Sequence, residues 1–108
     1  MVTLHLRGDV LSPGSAEGIV VPIERLRTSD FDRTRPFIVV APFITPLHSI
    51  YVKDARGIIV EQGGTLSHIA IYSRELGIPC VRLEDATTLL PAGAWVRLSP
   101  DGVIEIER

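Results

Sequence analysis

The sequence holds a single cysteine, Cys80, so no internal disulfide can form and a reducing, cytoplasmic setting is expected. Beside Pro79 in a β-type run, that cysteine reads as a small buried hydrophobe with no visible thiol activator. Charge of one sign is also lacking: the formal net charge is −2, which provides no basic patch and argues against nucleic acid as a partner. No apolar run approaches the roughly 20 residues that span a bilayer, so no membrane partner is expected. The N-terminal stretch Met1-Val2-Thr3-Leu4-His5-Leu6-Arg7 alternates like a strand where a signal peptide would carry an apolar block. There is no Gly-x-x-x-x-Gly-Lys loop, no Gly-x-Gly-x-x-Gly and no Gly-x-Ser-x-Gly. His5, His48 and His68 lack the spacing of zinc ligands, so no metal site is expected.

What is present fits one α/β domain over residues 1–108, since 108 residues with 45% hydrophobic and 22% charged content suffice for a single core. Met1 followed at once by a clean strand reads as the start of a complete chain. Val2 to Arg7 forms that strand, with His5 on its polar face. Gly8 to Gly18, rich in Gly, Ser and Pro, reads as a loop before a second strand, Ile19 to Ile23, in which Pro22 implies an edge or a bulge. The charged run from Glu24 to Arg35 reads as a solvated connection. Phe37 to Ala41 is a buried strand. Thr45-Pro46 opens a short helix reaching about Asp54, with Leu47, Ile50 and Tyr51 toward the sheet and His48 outside.

Ile58-Ile59-Val60 is a second buried strand, and it breaks at Gly63-Gly64, a pair able to take backbone angles closed to other residues. Ser67 and Thr65 are both good N-caps, while Gly77 and Pro79 form a stop signal, so a helix is expected from about Ser67 to Leu76. At about 100° per residue, Ile69, Ala70, Ser73, Leu76 and Gly77 share the inward stripe; His68, Tyr72 and Glu75 project from the other side. Ile71 falls off the stripe, leaving a wider buried face or an apolar spot near the histidine. Beyond this helix, Pro79 to Leu83 reads as a strand and Asp85 to Leu90 as a capped helix closed by Pro91. Ala94 to Leu98 and Val103 to Ile106 read as a strand pair, with Ile104 and Ile106 inward and Trp95 read as core, an apolar docking anchor being the alternative.

His68 thus stands at the positive end of a helix, next to backbone N–H groups that favour an anion such as phosphate. A neutral imidazole is a competent nucleophile toward a phosphoryl group, and the hydroxyls of Thr65 and Ser67 stand where the product's charge would sit. The plain reading of a histidine at a helix start is a capping or surface residue. A general base or a lone metal ligand would have less use for an anion-binding terminus.

The segment Gly63-Gly64-Thr65-Leu66-Ser67-His68, continued by Ala70-Ile71-Tyr72-Ser73-Arg74-Glu75 and Gly77-Ile78-Pro79, resembles the phosphohistidine segment of the phosphoenolpyruvate (PEP)-utilising enzymes. These are PEP synthase, pyruvate phosphate dikinase, enzyme I of the sugar phosphotransferase system and rifampin phosphotransferase. In the family pattern, Gly-Gly and a short variable stretch lead to Ser/Cys/Thr-His, and the helix carries Ala-Ile-x-Ala-Arg-Glu-x-Gly-Ile-Pro, with Tyr72 at a variable position. Ser12-Pro13-Gly14-Ser15-Ala16-Glu17-Gly18-Ile19-Val20 is similar to the family's opening Ser-Pro-Gly-x-Ala-x-Gly-x-Val. Ala55-Arg56-Gly57-Ile58-Ile59 is similar to its Ala-x-Gly-Ile-Val. The chain departs at Leu66, where the dikinases and enzyme I carry Thr, and after Pro79, where a Val-Gly step is usual.

The resemblance implies a single swivelling β/β/α domain with short helices packed on a mixed sheet. It implies a phosphohistidine carrier, a phosphotransferase component that needs partner domains in trans. His68 would be the phosphoryl acceptor, with Gly64, Thr65 and Ser67 beside the phosphate. No cofactor would bind to this domain itself. ATP or PEP, with Mg, would sit on an ATP-grasp-like protein, on a PEP-binding barrel, or on both. The alternative is a non-catalytic binding or regulatory module on the same swivelling fold.

Overall fold

The computed structural model describes residues 3–28 and 32–107. Val2 and residues 29–31 of the charged connection lie outside the described residues. In chain order the elements are β1 (Thr3–Arg7), β2 (Asp9–Ser12), β3 (Ala16–Pro22), a 3-10 turn (Ile23–Arg27), β4 (Phe37–Ala41), α1 (Ser49–Val52), β5 (Gly57–Val60) and α2 (His68–Leu76), followed by β6 (Cys80–Arg82), α3 (Ala86–Leu89), β7 (Trp95–Leu98) and β8 (Val103–Glu107).

All eight strands join one mixed sheet, in the order β1-β8-β7-β3-β4-β5-β6-β2. The centre, β3-β4-β5-β6, is parallel, and both wings are antiparallel. β1 and β2 stand at opposite ends of that order, yet only Gly8 separates them in the chain. The sheet therefore curls until its two edges meet at Gly8. Arg7 pairs with Val103 on one edge and Asp9 with Arg82 on the other, while the Gly8 N–H donates to the carbonyl of Gly102 at 2.9 Å.

Both faces of the central strands are apolar, as crossover connections require. Along β4, Phe37, Val39 and Ala41 face α1 and α2 in one buried cluster with Ile58, Val60, Val52, Ile69 and Ala70. Ile38 and Val40 point the other way, into the curl, where they meet Ile59, Val81, Val96, Leu98, Ile104 and Ile106. The result is three layers, strand on strand on helix, with α3 closing the second cluster through Ala86 and Leu90. No described helix is long and apolar enough to cross a membrane.

The structure corrects several sequence readings. The expected loop from Gly8 to Gly18 contains β2 and the start of β3. β2 is held by pairing with β6 across about 70 residues of sequence, a long-range cause with no local signal. Gly18 is not a loop glycine: a Cβ there would lie 2.7 Å from the Pro36 carbonyl, so the residue marks a close approach of two backbones. Pro22 lies on a central strand, not an edge, and is tolerated because it is the strand's last residue. The charged connection begins with a 3-10 turn that buries Leu26.

The helix after β4 is shorter than expected and out of phase. Leu47 and Ile50 are 77% and 61% exposed, while Ser49 and Val52 are the buried pair and Tyr51 is half-buried. Hydrogen bonds spanning three residues, from the His48 N–H to Thr45, Ser49 to Pro46 and Tyr51 to His48, tighten this segment. Inward positions then recur every three residues, which displaces the stripe read at 3.6. Leu76, placed on the inward stripe of α2, is exposed. Trp95 is half-buried at the start of β7 and belongs to neither core cluster.

Cys80 is fully buried, and burial pushes its thiol up to about 11. The thiolate that reacts with alkylating reagents is accordingly scarce at neutral pH. Iodoacetamide at pH 7.5 is expected to leave the native protein unmodified and to add a single adduct in denaturant, read by intact mass.

Candidate functional site

The site begins where β5 leaves the sheet. The N–H groups of Glu61 and Gln62 donate to the Pro42 carbonyl at 3.2 and 3.0 Å, tying this exit to the end of β4. Gly63 then turns the chain at φ 127°, in the region that favours glycine. Its neighbour Gly64 has an ordinary φ and open space around its Cα, so only the first glycine of the pair is demanded by backbone geometry. The Gly64 carbonyl accepts from both the N–H of Ser67, at 3.1 Å, and its hydroxyl, at 2.7 Å.

Ser67 is the N-cap of α2, with extended backbone and its Oγ accepting from the Ala70 N–H at 3.4 Å. Such a cap contributes about 1 kcal/mol to a helix. Gly77 closes the same helix in the left-handed conformation at φ 71°. Both ends lie where the sequence places them. The Ser67 hydroxyl thus donates to the Gly64 carbonyl and accepts from the Ala70 N–H.

His68 is the first residue of α2, and it is exposed. Its imidazole stacks on the ring of Tyr72, one turn further on, with centroids 5.7 Å apart and planes inclined by 24°. Tyr72 is half-buried and packs against the helix-side core. Thr65 and Leu66 are exposed in the approach to the helix, Leu66 at 85%, and Ile71 is 42% exposed. Ile71 is therefore an apolar spot on the surface, not part of a wider buried face. No acidic residue lies in the first turn to oppose an anion.

Two interactions of this region escape sequence reasoning. Arg74 reaches back along its own helix, donating from Nη2 to the Thr65 carbonyl at 2.6 Å and from Nη1 to the Leu11 carbonyl at 3.0 Å. It thereby ties the Gly-Gly-Thr turn to β2, and its charge lends strength to both bonds. The second interaction concerns α3. Asp85, the expected cap, sits at φ 61° and its side chain caps nothing; the Glu61 carboxylate instead accepts from the Thr87 hydroxyl at 2.6 Å and the Thr87 N–H at 2.9 Å.

These bonds, the hydroxyl first, hold the Glu61 carboxyl below its ordinary value of 4.5. A depressed folded-state value means that the stabilisation is present above 4.5 and is lost as pH falls through the lower, folded value. Thermal unfolding of the native protein is thus expected to drop more steeply than that of Glu61→Gln between about pH 5 and pH 3. Parallel acid profiles for the two proteins would contradict this.

The other histidines lie elsewhere. His5, on β1, is 3.3 Å from Glu105 of β8. His48 precedes α1, half-buried, and its Nδ1 has no hydrogen-bond partner among the described residues. Among the described residues, no three His, Cys, Asp or Glu side chains converge as metal ligands would.

Residues 34–102, which include Gly63 to Gly77, match the family described as PEP-utilising enzyme, mobile domain. The chain belongs to that family. The mobile domain is 40% identical over 93 residues to a phosphoenolpyruvate synthase of Pyrococcus furiosus, a match covering 84% of this chain and 11% of that protein. It is 31% identical over 101 residues to a rifampicin phosphotransferase of Bacillus cereus, covering 89% of this chain and 11% of that one. A solution structure of Enzyme I superposes on the mobile domain with a TM-score of 0.61 and 30% identity, over 73% of this chain and 33% of that one. The chain spans about a tenth of the two curated relatives, and in them this domain is a small part of a larger multidomain enzyme.

Proposed function

We propose that this mobile domain is a phosphohistidine carrier in a phosphotransfer of the PEP synthase type, with His68 as the phosphoryl acceptor. The observation that carries the reading is the placement of an exposed imidazole on the first residue of α2, in a chain of the PEP-utilising mobile-domain family. The first N–H groups of a helix have no partner within it, so an anion attached to His68 would find donors and the positive end of the dipole. In this reading Gly64, Thr65 and Ser67 would stand beside the phosphate, and Ser67 also fixes the helix start through its bonds to the Gly64 carbonyl and the Ala70 N–H.

In the transfer, a ring nitrogen of neutral His68 attacks the phosphorus of the donor. The bond from phosphorus to the leaving oxygen breaks, and that oxygen departs with the electron pair. Delivery is the reverse, onto an acceptor oxygen. Phosphoryl transfer asks little covalent chemistry of the protein beyond the nucleophile, so positioning and charge neutralisation fall to the partner. ATP or PEP, with Mg, would be held by an ATP-grasp-like unit, a PEP-binding barrel or both, supplied in trans or by other parts of a longer polypeptide.

The test is intact mass after incubation with ATP or PEP, Mg and lysate from the protein's own source. An acid-labile gain of about 80 Da is expected. No gain with either donor, in protein shown to be folded, would overturn the reading in favour of a non-catalytic binding module.

A further inference from the structure

We infer that Tyr72 is a positioning residue for His68, holding the imidazole in one orientation so that a single ring nitrogen is presented to the phosphoryl donor. The inference rests on the carrier reading above and adds a residue to it. The family pattern quoted above leaves the position of Tyr72 unspecified, so the inference rests on the ring contact of this chain itself.

Residues four apart on a helix share a face, and here the two rings use that spacing to stack, 5.7 Å between centroids and 24° between planes. Both values fall within the range of favourable offset aromatic contacts. The two partners are unequal. Tyr72 is half-buried against the helix-side core, in contact with a cluster that includes Ile69, Ala70 and Val60, so its ring is fixed by packing. His68 is exposed, and an exposed side chain otherwise distributes among staggered wells. The fixed ring therefore selects a rotamer of the free one, by about two- to tenfold on the known strength of such pairs.

Selecting a rotamer matters because the two imidazole nitrogens are distinct and point in different directions, so the rotamer decides which of them meets the donor. A freely rotating imidazole can turn either nitrogen toward the phosphorus of a small donor, so both phosphohistidine isomers are open to it. A ring pinned by one face presents one nitrogen to the approaching phosphorus and holds the other toward its own helix. The phenol oxygen takes no part in the stack, so phenylalanine should serve as well as tyrosine, whereas leucine fills the space without the ring.

The experiment uses phosphoramidate, a small donor that needs no partner protein: the ring nitrogen attacks phosphorus, the phosphorus–nitrogen bond breaks and ammonia leaves. Native protein, Tyr72→Phe and Tyr72→Leu are phosphorylated, with His68→Asn marking signals from His5 and His48. The two isomers at His68 are resolved by phosphorus and proton–nitrogen NMR. The same samples before phosphorylation report the ring-current shift of the His68 ring protons.

One isomer at His68 is expected for the native protein and Tyr72→Phe. A mixture, with loss of the ring-current shift and a rate about two- to tenfold lower, is expected for Tyr72→Leu. The same single isomer at an unchanged rate in Tyr72→Leu, shown folded by its amide spectrum, would overturn the positioning role. A mixture in the native protein would do the same. No phosphohistidine at His68 in any variant, with the native ring-current shift intact, would instead overturn the carrier reading and the role with it, leaving the stack as a surface contact.

Discussion

His68→Ala is expected to abolish the acid-labile mass gain, a loss of at least about a thousandfold, as when a nucleophile is removed outright. Stability should change little. The side chain is exposed, lies at the first helical position and caps nothing, so the change removes only the ring contact with Tyr72, about 0.5–1.5 kcal/mol, partly offset by the higher helix propensity of alanine. The cap belongs to Ser67, the C-terminal turn to Gly77 and the loop clamp to Arg74, and all three survive the change. This separation of chemistry from folding gives the experiment its force. A variant that unfolds would lose phosphorylation trivially; one that melts with the native protein and still gains no mass loses it because the nucleophile is gone. Retention of the gain in His68→Ala would shift attention to the remaining histidines. Of these, His48 is half-buried and His5 stands on an edge strand beside Glu105, at neither place next to a helix terminus of useful length. His68→Gln offers a second control, since it keeps a polar side chain of similar reach while removing the nucleophilic ring.

Much of this site was legible because its determinants are local. The cap, the helix, its left-handed stop and the outward face bearing His68 and Tyr72 depend on residues within ten positions of one another, and each residue type has its own physical preference. The alternation of Val103 to Glu107 and the apolar runs of β4 and β5 were equally plain. What sequence could not show was made by distant parts of the chain. β2 exists because β6 offers it an edge, Glu61 caps a helix 26 residues away, and Arg74 joins Leu11 to Thr65 across the motif. Composition signals a glycine-rich loop before β3, but whether a glycine serves a turn or a backbone contact depends on what lies opposite. The stripe of α1 failed for a different reason: the period assumed was that of an α-helix, and the segment is wound more tightly.

The closure of the sheet yields the second large effect. At Gly8 a Cβ would lie 2.4 Å from the Arg82 carbonyl oxygen and 2.4 Å from Cγ1 of Val81, and the oxygen belongs to the backbone of β6. A methyl group there cannot be accommodated by a side-chain rotation. Either β1 and β2 move away from β6, or the register of β2 is lost. Gly8→Ala is expected to destabilise by about 2–4 kcal/mol, at the upper end of overpacking penalties because strand pairing is disturbed as well. For a domain of this size that corresponds to a fall of roughly 10–20 °C in melting temperature. Gly64→Ala is the matched control. Gly64, like Gly8, has an ordinary φ, but a Cβ there meets nothing within 4 Å. Both substitutions reduce the freedom of the unfolded chain alike, an effect of about 0.4–1 kcal/mol in favour of folding. The difference between their unfolding free energies in urea therefore isolates crowding at the seam, and equal values would refute the closure. The seam also bears on the carrier's motif, because the Leu11 carbonyl that accepts from Arg74 lies on β2, three residues beyond Gly8. If β2 detaches, Arg74 loses one of its two anchors and the Thr65 turn is left tied only to its own helix. Amide exchange should then rise first at β2 and the Gly63–Ser67 turn in Gly8→Ala, ahead of β4 and β5, whose buried pairing does not pass through the seam.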